Sequence, residues 1–273
     1  MSIFSVIPES LLKKPLVTVI LIDSFFWVPA LALSFLYREP LVRWIKHRVL
    51  PMPNNERRKN GKKRETFNKR ESKIEQQVLR LENARDLFTS QLKEAVVPFI
   101  YSRALLWTLS YFLTDFHFTF YHPSYQHITW IINDVFWILA CNDLALYVHH
   151  RLMHTKFMYS RFHHVHHRYR RPQAINAETN HVIEEFTLIA FNATATLISR
   201  PSSIYSIWIA YALMQFHAVE NHLGIDLGLQ YISDSFFGGL FSFAPKHDAH
   251  HLRVVGNYGS FTTLWDRIFG TTI

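Results

Sequence analysis

Apolar and polar stretches alternate along this chain in a way that indicates several membrane helices. Five apolar segments stand out: 15–37, 96–120, 127–148, 182–199 and 203–221. A helix needs about 20 apolar residues to cross a bilayer. The first segment is long enough and exceeds a cleavable signal peptide, so we expect it to remain as an anchor. The other four are shorter or interrupted by polar residues, and we interpret them as spans or as paired half-spans.

The segment that follows the first apolar run is polar and strongly basic. Residues 38–73 contain 13 Lys and Arg residues against four Glu, and their central part, 54–72, has little apolar content. Such a composition favours a flexible linker. Because basic loops beside a span stay in the cytosol, we expect this one to contact anionic headgroups rather than nucleic acid. Residues 73–93 have the apolar periodicity of an amphipathic helix.

This pattern predicts an all-α integral membrane helical bundle in three parts. Residues 1–37 form an N-terminal membrane anchor, 38–95 form the basic cytosolic linker with the amphipathic helix, and 96–273 form a membrane-embedded catalytic domain. If 38–95 is cytosolic, each later pair of apolar segments leaves the cytosolic side and returns to it. The residues that follow each pair then lie on one face of the membrane.

Histidines are concentrated in the second half of the chain, where 13 of the 17 lie between His149 and His251. Nine of these 13 form three short clusters with helical spacing, since residues three or four apart share one helix face. The imidazoles in register are His150 and His154, then His163, His166 and His167, then His247, His250 and His251. Histidine is the commonest metal-binding side chain, and one zinc ion needs only four ligands. The clusters therefore predict a cytosolic-side centre for two metal ions.

Other interpretations of these residues fit the sequence less well. His47, His117, His122 and His127 stand alone, and we expect them to be structural. Soluble di-iron carboxylate proteins have paired Glu-x-x-His motifs, and only Glu178 to His181 has that form. The first cluster lacks the glutamate of the zinc-protease motif His-Glu-x-x-His. A metal-ion transporter would hold its ligands in mid-membrane, whereas these clusters follow the ends of apolar segments. The single Cys141 permits no internal disulfide.

The clusters HRLMH at 150–154, FHHVHH at 162–167 and HDAHH at 247–251 resemble the histidine boxes of the fatty acid hydroxylase (sterol desaturase) superfamily. Segment 220–224, which reads ENHLG, is similar to a further histidine motif of that family and adds His222. Segment 257–271 resembles its C-terminal signature. The resemblance covers residues 135–273 and is closest to the cholesterol 25-hydroxylase-like and C4-methylsterol oxidase branches. Neither branch leads us to expect the basic insert at 50–73.

The resemblance implies a membrane-bound non-haem di-iron oxygenase of the endoplasmic reticulum, with its histidine boxes facing the cytosol. Such an enzyme would use O2 and two electrons to oxidise an unactivated carbon of a lipid, with a sterol as the favoured substrate. A fatty acyl or alkyl-lipid hydroxylase or desaturase is the alternative, and an inactive lipid-binding relative is a third interpretation. Because no haem domain is visible, the electron donor would be a separate b-type cytochrome or its reductase.

Carried onto this sequence, the resemblance implies two iron ions and a set of histidine ligands. The ligands would be His150, His154, His163, His166, His167, His222, His247, His250 and His251, with His181 and His217 as weaker candidates. Carboxylates commonly orient metal-bound imidazoles, and five acids are placed in the sequence to do so: Asp143, Glu184, Glu220, Asp248 and Asp266. A redox metal suits this chemistry, because no amino-acid side chain can break an unactivated C–H bond.

Overall fold

A computed structural model describes most of the second half of the chain and a few residues before it. The described residues are 27, 28, 32, 90, 92–98, 100, 101, 104, 128–170, 172–224 and 226–273, and those before 128 are helical. Most of the predicted anchor at 1–37, of the linker and amphipathic helix at 38–95 and of the apolar run at 96–120 lies outside the described residues, so these assignments remain predictions. The lone histidines His47, His117, His122 and His127 also lie outside them.

The part of the chain from residue 128 onward is built from α-helices joined by short irregular turns. In order, they are α1 (Ile128–Met153), α2 (Lys156–Met158), α3 (Val182–Ser199), α4 (Ile204–Asn221), α5 (Leu229–Phe236), α6 (Ala244–Arg253) and α7 (Leu264–Ile268). A π-helical turn, Tyr159–His163, and two 3-10 turns, His166–Arg168 and Ala174–Glu178, connect α2 to α3. Among the described residues only an isolated bridge, Phe241 to Thr262, has β geometry. The predicted helical fold is confirmed.

The apolar segments of the sequence correspond closely to the long helices. Segment 182–199 is α3, and segment 203–221 is α4 from its second residue onward. Each has an N-terminal cap: the Nδ1 atom of His181 accepts from Ile183 N, and the Ser203 hydroxyl accepts from Tyr205 N. Such caps satisfy backbone donors that a helix start leaves unpaired. Helix α1 continues past the predicted end at 148 to Met153, so the first histidine cluster begins on its last turn.

Polar side chains join the three long helices inside their apolar packing. Helix α1 packs along both α3 and α4. The Asn142 amide on α1 donates to Thr196 Oγ1 on α3, which in turn contacts the Tyr211 hydroxyl on α4 at 3.2 Å. Nearer the start of α1, Asp134 is buried and accepts from the turn before α4. Because a buried polar group is costly unless it is paired, these contacts fix how the helices register with one another.

Two helices, α1 and α3, are long and apolar enough to cross a membrane, and most of their residues are not buried within the protein. Large apolar side chains of α1 face outward, including Ile132 and Phe136, each with 61% of its surface exposed. An apolar helix that keeps such side chains exposed fits a lipid environment. These features are those of a membrane protein.

Replacement of Asp134 tests the polar contact between α1 and α4. Its Oδ2 atom accepts from the backbone N–H and hydroxyl of Ser202 and from the hydroxyl of Ser206. Asp134→Leu removes this acceptor from all three donors, so we expect the free energy of unfolding to fall by about 1–3 kcal/mol. Thermal unfolding in detergent measures the change. Ser206→Ala removes one donor only and should have a smaller effect. Equal melting temperatures for wild type and Asp134→Leu would contradict the contact's role.

Candidate metal centre

The histidines of all three clusters converge on one region beside the ends of the long helices. His150 lies on the last turn of α1, and His154 follows that helix, with its N–H bonded to the carbonyl of His150. The second cluster lies on the π turn and the 3-10 turn after α2, and His222 is the C-cap of α4. The third cluster lies on α6, where a proline in the first turn and a left-handed residue, Val254 (φ 64°), mark the two ends.

Five of the imidazoles form one compact group, which we call the five-histidine group. Its members are His150, His154, His163, His167 and His250, whose candidate ligand atoms all lie within 4.8 Å of one another. The Nε2 atom of His154 lies 3.0 Å from that of His163, 3.1 Å from that of His167 and 3.1 Å from that of His250. These side chains come from three separate parts of the chain and meet at their ring nitrogens.

The other four imidazoles form a second group, the four-histidine group. Its members are His166, His222, His247 and His251, again with their candidate ligand atoms within 4.8 Å of one another. The Nε2 atom of His247 lies 3.1 Å from the Nε2 atoms of both His222 and His251. The two groups together contain the nine imidazoles that the sequence singled out.

The two groups are direct neighbours. The ring centroids of His167 and His251 are 4.6 Å apart, those of His163 and His166 are 5.3 Å apart, and those of His247 and His250 are 5.6 Å apart. Two of the sequence clusters are therefore divided between the groups. On α6, His247 and His251 differ by about 40° around the helix, whereas His250 is turned about 60° to the other side of His247. One helix thereby serves both groups.

Hydrogen bonds on the far side of the rings fix which nitrogen carries the proton. The Nδ1 atom of His163 lies 2.6 Å from Glu184 Oε1, and that of His250 lies 2.6 Å from the carbonyl of Gly256. The Nδ1 atoms of His150 and His222 lie 3.0 Å from the Tyr258 carbonyl and 2.8 Å from the Ala218 carbonyl. Carbonyl and ionised carboxylate oxygens only accept, so the proton of each neutral ring lies on Nδ1. The four Nε2 atoms then carry no proton, and each has an available lone pair.

This arrangement fits a metal cation. The bare Nε2 atom of His150 is buried with no hydrogen-bond partner. The Nε2 contacts within the groups measure 3.0–3.3 Å. Nitrogens bound at about 2.0–2.1 Å to one ion would be about 2.9 Å apart in octahedral geometry and about 3.4 Å apart in tetrahedral geometry. The spacing therefore matches that of nitrogens that share a metal ion.

Burial keeps these imidazoles neutral. Desolvation, reinforced by neighbouring imidazoles, lowers the pKa of His166 to about 3 and that of His222 to about 4. The same causes hold the pKa values of His247, His250 and His251 well below that of free histidine. A neutral imidazole is the form that binds a metal ion. The site is thus prepared for cations without first having to release protons.

A single loop supports the five-histidine group through its backbone. The Gly256 and Tyr258 carbonyls accept from His250 and His150, and Asp266 holds the loop by accepting from Tyr258 N at 2.9 Å and Gly259 N at 2.8 Å. Gly256 has φ +73°, and a Cβ atom there would lie 2.7 Å from the Thr271 carbonyl. Only glycine fits this position without strain.

The predicted supporting carboxylates play different parts. Glu184 bonds directly to an imidazole, and Asp266 acts one step away, through the loop that it holds. Glu220 accepts from Ala244 N at the start of α6. Asp143 accepts from Phe261 N, Thr262 N and the Trp265 indole, so it fastens α7 to α1.

The remaining acid, Asp248, lies on α6 with its Oδ1 atom buried.

The weaker histidine candidates lie outside both groups. His181 caps α3, and His217 contacts the Ser260 carbonyl at 2.9 Å and stacks on Phe261. His149 contacts the Thr187 hydroxyl, and His164 is exposed.

Sequence reasoning did not single out Gly256, Tyr258 or Tyr159. The Tyr258 ring lies 5.0 Å from that of His154, and the Tyr159 ring lies 5.6 Å from it, so the two tyrosines flank the five-histidine group. Tyr258 belongs to the C-terminal segment whose motif was recognised without a structural role. The available signal was the presence of a glycine and two tyrosines near the histidine clusters, just before and within the C-terminal segment and just after α2. Their carbonyl and ring contacts depend on the folded backbone.

Comparison with known proteins gives a consistent picture. A model of the fatty acid hydroxylase family matches residues 135–271, which include all nine imidazoles. The chain is 35% identical to methylsterol monooxygenase 1 of Rattus norvegicus over 133 residues, which cover 48% of this chain and 43% of the relative. It is 31% identical to methylsterol monooxygenase 1 of Gallus gallus over 165 residues, 56% of this chain and 54% of the relative.

A plant protein of another named activity also matches. The chain is 32% identical over 149 residues to a very-long-chain aldehyde decarbonylase of Oryza sativa subsp. indica, with 53% of this chain and 54% of the relative covered. The chain thus spans about half the length of the curated relatives that it matches. No solved structure matches it.

The depressed pKa values lead to a pH dependence of stability in the metal-free protein. Unfolded histidine has a pKa of about 6.5, so below that pH the unfolded chain binds more protons than the folded one. Stability is then present above about pH 6.5 and is lost as the pH falls toward the folded values of about 4 for His222 and about 3 for His166. Melting temperatures of chelator-treated protein between about pH 8 and about pH 5 test this. His164→Gln, at an exposed ring, should leave the slope unchanged, and a flat curve for the wild type would contradict the assignment.

Glu184 offers a second test, because it sets the proton position on His163. Glu184→Ala removes the Nδ1 acceptor, and we expect metal affinity to fall by roughly 10–100-fold, as is usual for such outer contacts. Glu184→Gln keeps an oxygen that can accept from Nδ1 and should lose less. Titration of metal-free protein with Fe(II) or Co(II) measures both. Unchanged affinity in Glu184→Ala would show that this contact does not support metal binding.

Proposed function

We propose, on the premise that this chain belongs to the fatty acid hydroxylase family, that it is a membrane-bound non-haem di-iron oxygenase. The reaction would use O2 and two electrons to hydroxylate, or otherwise oxidise, an unactivated carbon of a lipid. One observation carries the proposal: two adjoining groups of neutral imidazoles whose Nε2 atoms face each other at 3.0–3.3 Å. Family membership favours iron among the metals that imidazole binds.

Each histidine group would hold one ion. The ligands of the first would be the five-histidine group and those of the second the four-histidine group. When bound, the iron pair supplies the redox chemistry that cleavage of an alkyl C–H bond requires. The ligand sets of the two proposed ions adjoin, because rings of the two groups are as little as 4.6 Å apart.

The protein's own residues orient the ligands and limit access to them. The backbone carbonyls and Glu184 hold the Nδ1 protons of His150, His163, His222 and His250, so that the Nε2 lone pairs of these four rings point inward. His250 and His251 are completely buried, whereas His154 is only partly buried and lies between the rings of Tyr159 and Tyr258. We infer that the substrate carbon approaches from the His154 side, and that the tightly packed opposite side excludes water.

The substrate class is proposed from the relatives and from the membrane character of the chain. Two of the relatives are named for methylsterol oxidation, which supports a sterol substrate. A relative named for long-chain aldehyde chemistry keeps a fatty acyl or alkyl lipid as the alternative. The electron donor would be a b-type cytochrome or its reductase.

The proposed location is the endoplasmic reticulum membrane with the histidine groups on the cytosolic side. We also propose the three-part organisation of anchor, basic linker and catalytic domain at 1–37, 38–95 and 96–273. A metal transporter is disfavoured, because the first cluster begins on the final turn of α1 rather than in its middle.

Single ligand replacements test the function. His250→Ala and His166→Ala each remove one nitrogen from a different group, and we expect iron content and lipid oxidation to fall together. Turnover should drop by more than about 100-fold, beyond the usual effect of an outer contact. Iron per chain is measured on purified protein, and products are sought by lipid mass spectrometry as species that gain one oxygen or lose two hydrogens.

The exposed residue His164 provides the matched control, because it lies between two candidate ligands without joining either group. His164→Ala should retain both iron and turnover. Full iron content with normal turnover in His250→Ala would overturn its ligand role. Metal flux through liposomes without lipid oxidation by the wild type would overturn the oxygenase proposal as a whole.

A further inference from the structure

Helix α5 has the opposite polarity to that of a helix on a water-facing surface. Its polar residues Gln230 and Ser233 are buried, with 6% and 1% of their surface exposed. Both bond inward: the Ser233 hydroxyl donates to the Phe241 carbonyl, and the Gln230 side chain accepts from Phe243 N. The polar side of α5 is therefore the side that docks on the protein.

The outward side of α5 carries large apolar side chains together with one exposed carboxylate, Asp234. Five large side chains on the helix or directly beside it are exposed: Leu227 (60%), Tyr231 (71%), Ile232 (46%), Phe236 (76%) and Phe237 (54%). Single exposed apolar residues are ordinary, but a contiguous set of this size marks a contact surface. The eight residues of α5 extend for about 12 Å, which is too short to cross a bilayer core of about 30 Å.

The outward side of α7 is apolar as well, and α7 connects α5 to the candidate span α1. Leu264, Ile268 and Phe269 are exposed by 41%, 59% and 50%. The Arg267 guanidinium donates to the Gly238 carbonyl, in the turn that follows α5. The Phe269 ring stacks on Tyr147 of α1 with the centroids 5.4 Å apart.

The contact with α1 also sets the depth at which this surface lies relative to the membrane. Tyr147 lies in the last two turns of α1, and Arg151, in the final turn, covers the Phe269 ring at 5.5 Å. The end of a spanning helix lies near the headgroups, where aromatic rings and cations are favoured. Lys246 and Arg267, which donate to the carbonyls of Gly239 and Gly238, lie beside the turn after α5, where Lys246 pairs with the Asp234 carboxylate at 3.7 Å.

We propose that the exposed sides of α5 and α7 form one surface, the α5–α7 face, which lies in the headgroup and upper acyl region of the lipid bilayer. The partner is a lipid surface: the apolar residues would enter the acyl boundary, and Arg151 and Arg267 would lie near the phosphates. Amphipathic helices bind membranes in this way. The face would anchor the histidine-bearing helix α6 against the membrane from outside the spans. This goes beyond the oxidation chemistry and does not depend on it.

Site-directed spin labelling of the full chain in vesicles of phosphatidylcholine and phosphatidylserine tests the proposal. The single cysteine is first replaced, Cys141→Ser, and a nitroxide is then attached at Ser235→Cys, an exposed position between the apolar residues of α5 that tolerates the exchange. Phe236→Cys gives a second position on the same face. Leu144→Cys, exposed in the middle part of α1, is the lipid reference, and Arg170→Cys, on an exposed loop, is the water reference.

The measurement compares collisions of each label with oxygen, which concentrates in lipid, and with a water-soluble nickel chelate. If the face lies in the bilayer, the ratio of oxygen to nickel collisions at 235 and 236 should lie between the ratios at the two reference positions. In preparations without detergent and poor in lipid, this ratio should move to the aqueous value. Nickel accessibility equal to that at 170 in vesicles would overturn it. Protection from both reagents with spectral broadening would also overturn it, because it would show that a second copy of the chain covers the face. Lipid oxidation plays no part in the readout, so a failed oxygenase assignment would leave this result unaffected.

Discussion

The structure depends on a set of lone pairs that face one another. Four imidazoles, His150, His163, His222 and His250, give their Nδ1 protons to oxygen acceptors, and their Nε2 atoms therefore point into the two histidine groups without protons. Ring nitrogens within the groups approach one another at 3.0–3.3 Å, a spacing that fits nitrogens sharing a cation. Burial removes the alternative of protonation by lowering the pKa values of the imidazoles outside α1. The fold thus holds a donor set whose electrostatics are balanced by metal ions.

The C-terminal ends of the long helices position part of this set of nitrogen donors. Helices α1 and α4 deliver His150 and His222 near their C-terminal ends, where apolar packing gives way to turns. Polar contacts such as those of Asn142 and Asp134 set the register of α1 against α3 and α4. Asp143 then fastens α7, and the loop held by Asp266 closes over His150 and His250. A few buried carboxylates therefore link the packing of the helices to the positions of the candidate ligands.

Much of this could be predicted from the sequence, because helical periodicity and histidine spacing are local signals. The long helices and the convergence of eight imidazoles followed from them, and the family resemblance added His222. The division of the clusters between two groups did not, since His163 ends a π turn and His166 begins a 3-10 turn instead of sharing one regular helix. The roles of the Gly256 and Tyr258 carbonyls could not be foreseen either, because every residue carries a backbone carbonyl. Asp143 was among the predicted supporting carboxylates, yet its partners are 118–122 residues away in the chain.

Helix α6 contributes His250 to one group and His247 and His251 to the other. In the proposed enzyme, this short helix would couple the positions of the two ions, because it carries ligands of both. Binding of an ion to the first histidine group would fix the tilt and rotation of α6. Much of the ordering that the second group needs would then already be complete. Filling of the two positions would accordingly be cooperative, and a half-loaded centre would be a sparsely populated species.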